Sequence, residues 1–396
     1  MNRIKNALKA IMVIAVLCMP IAALAGCWNN RDLTDINIVT ALGIDKTEDG
    51  RILLAVQIAE PAAVQAAASG KGKGGSTQAK PVIVVTHEGE TVFDALRGML
   101  AKVDKKLFLS TSQVLILGER LAEEGLFEAI DFLQRDHEVN YKMAVLVAKG
   151  AAPKEILEIE TDMDPISAVY IKDTAENTVS RAKAKRTILI DLIKEMSDKG
   201  KQPVIGQITK VDEKMVNTEG AAVFKDGKLK GWLDPNETRG YLFATGKVQS
   251  TIVNIPAEDG NNGKISMEVV RSDGKAGVKF KSGEPSLLTI KVTLEANIGE
   301  YSGIEGMLSP EKLHALEHAL EQEIKGEIGS VFKLAQQEFS SDIFGFGTQV
   351  HKYHLQYWKK VKDNWDDVFS RLPVDIEVDA KIRRTGIIKD PIRKGG

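Results

Sequence analysis

A chain of 396 residues with 43% hydrophobic and 27% charged residues is long enough for two or three domains and too apolar for wholesale disorder. Its net charge of −2, with basic residues spread among acidic ones and no cationic arm, argues against a nucleic-acid binder. Of its two cysteines, Cys18 falls in an N-terminal leader and leaves Cys27 alone, so no intramolecular disulfide is expected.

In the leader, Arg3, Lys5 and Lys9 precede an apolar run from Ala10 to Leu24 broken by Pro20, and Leu24-Ala25-Gly26 sets small residues directly before Cys27. This is the order of an export signal over residues 1–26, and its apolar part is short against the ~20 residues of a spanning helix. Small residues ahead of a cysteine are what bacterial lipoprotein processing requires. The Cys27 thiol is alkylated with diacylglycerol and the chain is cut before it, so the only expected attached group is that covalent lipid. Loss of the leader removes three positive and no negative charges, which moves the net charge from −2 to −5. Two buried acyl chains, at about 0.8 kcal/mol per CH₂, hold a protein on a bilayer far more firmly than one. No later stretch has the length of a spanning helix, so the body is expected to rest on a membrane without crossing it.

Beyond Cys27, Ile36–Asp45 and Arg51–Ala59 read as two strands joined through Thr47-Glu48-Asp49-Gly50, where Asp-Gly is a hairpin turn. Residues 61–80, almost wholly Ala, Gly, Lys, Ser and Gln, read as a flexible loop. A strand at Pro81–Thr86 and a helix at Thr91–Val103 follow, the helix with Val92, Phe93, Leu96, Leu100 and Val103 on one stripe. Val114–Leu117 reads as a strand, Leu121–Leu133 as a helix and Met143–Ala148 as a strand, with helices at Pro153–Glu160, Pro165–Arg181 and Thr187–Met196. Strands alternating with helices predict a mixed sheet, and the polar break Ser197-Asp198-Lys199-Gly200 closes a first domain over 27–200. A second hairpin turns at Lys225-Asp226-Gly227-Lys228, and Asp234-Pro235-Asn236-Glu237 supplies a helix N-cap, a proline in the first turn and a Glu at N3. Short β-runs up to Lys281 complete a β-rich middle domain over 201–285.

The last segment, 286–396, is the most regular. Leu288, Ile290, Val292, Leu294, Ala296 and Ile298 alternate with polar residues, as do Val374, Ile376, Val378, Ala380 and Ile382. Between them Ser309-Pro310 opens a long helix with Leu313, Leu316, Leu320, Ile324, Ile328 and Val331 on one stripe, weakened at Gly326 and Gly329, where a bend is expected. The reading is an antiparallel sheet covered by that helix. The fold class is therefore α+β, in three mixed α/β domains.

Several motifs touch on chemistry. His314-Ala315-Leu316-Glu317-His318 is an H-x-x-E-H string, which in inverted zinc peptidases binds metal through both histidines, but Leu316 belongs to the apolar stripe and no third ligand stands out. His351 and His354, beside Tyr353, Tyr357 and Trp358, read as packing or surface residues. The turn from Asp45 to Gly50 approaches a calcium loop, but Val56 stands where the bidentate Glu belongs. Gly70 to Thr77 has no Lys before its Ser or Thr and opens no helix, and Asp162 and Asp164 before Pro165 fit a turn better than a carboxylate pair. No nucleophile–base pair emerges and no metal site is assigned, so a non-enzymatic protein is expected.

The motifs fall in an order that resembles one family. Gly26-Cys27-Trp28, Arg31-Asp32-Leu33, Leu42-Gly43-Ile44-Asp45, Leu115-Ile116-Leu117-Gly118-Glu119, Val145-Leu146-Val147-Ala148, Ala222-Val223-Phe224, Gly231-Trp232-Leu233-Asp234 and Glu237-Thr238-Arg239-Gly240 run in sequence. They end at Asp342-Ile343-Phe344-Gly345-Phe346-Gly347, Trp358, Trp365 and Leu372-Pro373-Val374, running to Arg384-Thr385-Gly386. This order resembles the Ger(x)C family, the C-subunit lipoproteins of bacterial spore germinant receptors. The resemblance implies a three-domain, non-catalytic subunit on the outer face of the spore inner membrane, beside integral-membrane A and B subunits, needed for nutrient-triggered germination. Phe344, Phe346, Trp358 and Trp365 are then either a docking patch for a partner or core residues pinning the long helix to its sheet. A second possibility is a solute-capturing lipoprotein of a transporter, which usually has two doubly wound lobes closing on a ligand.

Overall fold

The computed structural model describes residues 3–7, 9, 12, 35–69, 79–257, 263–301 and 309–384. Cys27 and Gly70 to Thr77 lie outside them. Among the described residues fourteen strands fall into two sheets. The first opens with the expected hairpin, β1 (Ile36–Lys46) against β2 (Ile52–Ala59), and β3 (Val82–Gly89) adds antiparallel to β2. β4 (Lys106–Phe108) and β5 (Val114–Leu117) pair parallel to β1, and β6 (Ala144–Ala148) parallel to β5. Every residue of β5 and β6 is buried, because helices cover both faces of this part of the sheet. Ala95, Met99, Leu133 and Leu192 pack on one face, Ile156, Leu157, Ala168 and Ile171 on the other.

The sheet does not stop at the polar break after Ser197. β7 (Val204–Lys210) pairs parallel to β6, β8 (Val216–Asn217) and β9 (Ala221–Lys225) pair antiparallel to β7, and β10 (Lys228–Leu233) closes the edge. The path is β10-β9-β7-β6-β5-β1-β2-β3, with β4 beside β1 and β8 beside β7. The expected middle segment, 201–285, is thus divided: its first strands extend the first sheet and its later ones build the second. Backbone pairing has no local signature for which sheet a strand joins, and the break at Asp198-Lys199-Gly200 is a turn within one architecture.

The second sheet runs β11 (Thr251–Pro256), β12 (Lys264–Lys281), β13 (Glu284–Tyr301) and β14 (Val374–Arg384). β11, β12 and β13 are antiparallel, but β14 lies parallel to β13, so the expected wholly antiparallel sheet is corrected. The chain crosses over between them through the long helix Pro310–Lys333, the connection that parallel neighbours need. Ser309 caps that helix by accepting the Lys312 N–H, and Leu316, Leu320, Ile324, Ile328, Val331 and Phe332 bury its inner stripe against the sheet. Six such side chains contribute on the order of 10 kcal/mol before ordering costs. The helix runs unbroken through Gly326 and Gly329, and its irregularity comes later, as a π turn over Leu334–Glu338.

Two further expectations change. Residues Pro61–Ala68 of the supposed loop form a helix, since a proline in the first turn followed by alanines is a strong local helix signal. The helix expected at Leu121–Leu133 is two, Glu119–Glu124 and Phe127–Arg135, broken at Gly125, whose φ of 135° only glycine adopts readily.

Candidate functional site

The densest polar chemistry lies where the C-terminal helices meet the first sheet. After the π turn the chain enters Asp342-Ile343-Phe344-Gly345-Phe346-Gly347, tied to β9 by Ser341 Oγ donating to the Phe224 carbonyl (2.8 Å). The Asp342 carboxylate is fully buried and accepts four hydrogen bonds: the N–H of Phe344 (3.1 Å), Gly345 (2.9 Å) and Gly347 (2.7 Å), and Trp365 Nε1 (2.8 Å). Gly345 sits at φ 84°, and a Cβ on Gly347 would lie 2.5 Å from Trp365 Nε1. The glycine spacing therefore wraps the backbone around one carboxylate and leaves room for the indole. Burial pushes the Asp342 carboxyl up to about 6 even though four donors favour its anion.

Around this turn stand the four aromatics singled out in the sequence. Phe344 is 6% exposed, Phe346 0%, and Trp358 and Trp365 3% each, so none offers a ring to a partner. Phe332 of the long helix packs on Phe344 (5.4 Å between ring centres) and Phe346 (6.1 Å), Phe346 on Phe369 (6.0 Å), and Trp358 on Trp365 (5.9 Å). These rings are packing residues that hold the long helix to the turn; docking through them would require exposure they lack.

Beside the turn, Gln202 donates its backbone N–H to the Asp342 carbonyl (2.9 Å) and its side-chain amide to Asp366 (3.2 Å). Lys201 Nζ donates to Glu195 (2.7 Å), with Lys247 Nζ 3.8 Å away. Burial acts to raise the Glu195 carboxyl, but Lys201, Lys185 and Lys247 together bring it below its ordinary value. Burial depresses the Lys185 ammonium to about 8 and raises the Tyr241 hydroxyl to about 12. A cleft of about 520 Å³ opens over Glu195, Lys201, Gln202, Lys225 and Asp366, walled by Phe127. Its lining mixes both signs of charge. Among the described residues no three His, Cys, Asp or Glu side chains are grouped to hold a metal ion.

A second buried polar contact was not foreseen. Arg239, in the helix Pro235–Ala244 that starts with the expected capping box, pairs bidentately with Glu327 of the long helix and donates to the Ile252 carbonyl (2.7 Å). Both side chains are buried, and burial raises the Glu327 carboxyl against the pull of Arg239. Gly240 lets the helices touch, since a Cβ there would lie 2.5 Å from the Glu327 carbonyl oxygen. The sequence signal was Glu237-Thr238-Arg239-Gly240, visible as a motif but silent about its partner 88 residues away.

The remaining motifs resolve into structural roles. In the H-x-x-E-H string His314 and His318 are exposed, and Glu317 points to the edge of the sheet, where it accepts the outward N–H of Ile382 (3.0 Å). Glu321, one turn on, accepts that of Ala380 (3.0 Å). Two carboxylates thus cover part of the open edge of β14, which a free strand would otherwise present for pairing. Asp45 accepts from the Lys46 (2.8 Å) and Leu121 (3.2 Å) backbones; Asp164 accepts from the Ile166 N–H (2.7 Å) as a turn, and Asp162 pairs with Lys214 (2.7 Å). His351 stacks on Trp358 and His354 on Phe280. No described helix is long and apolar enough to cross a membrane.

Comparison with known proteins gives one consistent result. The family described as "Spore germination protein N-terminal domain" matches residues 29–210, and that described as "Spore germination B3/ GerAC like, C-terminal" matches 219–386. Spore germination protein KC of Bacillus subtilis (strain 168) is 32% identical, over 98% of this chain and 98% of its own. Spore germination protein A3 of the same organism is 25% identical, over 95% of this chain and 98% of its own. The crystal structure of the GerBC protein has the same fold, with a TM-score of 0.53 at 20% identity, covering 86% of this chain and 96% of that one.

Proposed function

The chain belongs to the Ger(x)C family of spore germination proteins, and from that membership we propose that it is the lipid-anchored, non-catalytic C subunit of a nutrient germinant receptor. The observation that carries the reading is end-to-end similarity to spore germination protein KC, 32% identity over 98% of both chains. Diacylglycerol on Cys27 is the proposed anchor, on the outer face of the spore inner membrane, with integral A and B subunits as partners and no bound cofactor. A carboxylate held by four fixed donors and a bidentate buried ion pair are suited to rigid positioning rather than turnover. Solute capture for a transporter fits less well, since one ten-stranded mixed sheet beside a four-stranded one is not a pair of similar lobes.

Affinity purification of the tagged chain from spore membranes tests this directly. Two polytopic proteins should co-purify, and deletion of the gene should abolish the response to particular nutrients. Recovery of the acylated chain without integral partners, from spores that germinate normally once every paralogue is also removed, would refute the subunit role. Cys27→Ala should release the chain from the membrane fraction and cost activity; full activity from a freely soluble variant would count against the anchor.

A further inference from the structure

The aromatic turn faces inward, but the segment that follows it presents a different chemistry outward. Residues 351–362 contain Lys352, Lys359, Lys360 and Lys362 and no Asp or Glu, in a chain of net charge −2. Their two short helices, Phe346–Tyr353 and Leu355–Val361, are held from beneath by Trp358 and Val350, so the lysines are left on the outer side. Tyr353 (64% exposed) and Leu355 (47%) stand among them. No ion pair among the described residues uses Lys359, Lys360 or Lys362, and Lys352 lies over the Tyr353 ring at 5.0 Å. The tip of the β12–β13 hairpin braces this surface through Phe280. Phe280 stacks on His354 at 3.6 Å between ring centres and meets Tyr357 edge-on, while exposed Lys279 and Lys281 alternate with it onto the opposite face of the hairpin.

We propose that this surface, formed by residues 351–362, docks on an anionic phospholipid leaflet. The occupant follows from charge and shape. Lys352, Lys359 and Lys360, with Lys362 at the rim of the mixed-charge cleft, complement a negatively charged plane, each worth about 1 kcal/mol near such a surface. Exposed Tyr353 and Leu355 supply the shallow apolar contact that an acidic protein loop would not need and an interfacial bilayer zone rewards. A tethered body meets the leaflet at high effective concentration, so weak contacts suffice to fix its orientation. The inference rests on the Cys27 anchor for that proximity but not for the binding chemistry itself.

The test uses the whole acylated chain in proteoliposomes of phosphatidylcholine with or without phosphatidylglycerol, with no other protein present. Cys27 is blocked by lipid, so Leu355→Cys can be labelled alone with a polarity-sensitive fluorophore, and Asp49→Cys, in the exposed β1–β2 turn, serves as the remote control. The Leu355 probe should shift to an apolar environment and be quenched by acyl-chain quenchers only with phosphatidylglycerol, and should return in high salt. Replacing Lys359 and Lys360 by alanine should lower the docked-to-undocked ratio about fivefold for each lysine. Protein that floats with the vesicles while this probe ignores phosphatidylglycerol overturns the docking surface and leaves the anchor intact. A shift recovered only when integral subunits are added assigns the surface to protein and equally overturns it. Loss of flotation together with absence of acylation by mass spectrometry is instead the failure of the anchor.

Discussion

The two sheets bury themselves by different rules. β5 and β6 are apolar at every position because helices cover both faces, whereas β13 buries only alternate residues, from Leu288 to Ile298, against the long helix. Between them stand two buried polar contacts of opposite design. Arg239 and Glu327 neutralise each other across two helices, while Asp342 is a lone carboxylate held by backbone donors and one indole. A paired charge depends on both partners, and a lone one depends on the shape of the loop around it. Mutation distinguishes them.

The largest effect is expected at the pair. Glu327→Ala should cost about 4 kcal/mol, because it leaves the Arg239 guanidinium buried without its counter-charge. The combination Arg239→Met with Glu327→Leu should recover most of that loss, since two apolar side chains need no desolvation. Urea unfolding of the three proteins checks this; a double variant as unstable as the single one would show that the contact is held by geometry rather than charge.

Asp342→Asn comes next, at about 3 kcal/mol. An amide keeps the shape but turns an NH₂ toward two donors, leaving buried N–H groups unpaired. Its pH signature separates it from the ion pair. With its folded carboxyl near 6 against an ordinary 3.8, Asp342 binds its proton more tightly folded than unfolded. Stability from this group is therefore full below about pH 4 and falls as pH rises to about 6, by a total of about 3 kcal/mol, then stays level. Asp342→Asn should remove that slope between pH 4 and 6. Unfolding midpoints that fall equally with pH in both proteins would place the titration elsewhere.

What the sequence conveyed follows the same division. Alternation in β13 and β14 and the stripe of the long helix are local patterns, and they located the second sheet and its cover. The direction of β14 was not local: the crossover through Pro310–Lys333 makes it parallel to β13, while an alternating strand reads the same both ways. Likewise nothing within Ala221–Leu233 says that its hairpin completes the first sheet. At the candidate site the residues were visible and their roles were not. Asp342-Ile343-Phe344-Gly345-Phe346-Gly347 stood out as a motif, yet nothing in the string shows that its own N–H groups close on the carboxylate or that Trp365, 23 residues on, supplies the fourth donor. Glu317 drew notice through two neighbouring histidines, but its partner is the backbone of β14.

That edge provides a smaller contrast between the sheets. Replacing Glu317 and Glu321 together by alanine should cost about 2 kcal/mol, about 1 for each lost charge-assisted hydrogen bond at a partly exposed site. It should also free the N–H groups of Ile382 and Ala380 for pairing with another chain, so light scattering should detect concentration-dependent association. A double variant that remains monomeric with an unchanged midpoint would mean that the two carboxylates are incidental to the edge.

The smallest effect belongs to the helix that carries Arg239. Asp234 accepts from the Asn236 (2.7 Å) and Glu237 (2.8 Å) N–H groups, and Glu237 returns a hydrogen bond from the Asp234 N–H (2.8 Å). Asp234→Ala should cost about 1 kcal/mol, a usual loss for an N-cap. The reason it should be no larger is that Thr238 to Ala244 are all buried, so packing between the two sheets fixes this helix whether or not its first turn is capped. A loss several times greater would reverse that order and make the cap, rather than the buried pair one turn further on, the element on which the junction depends.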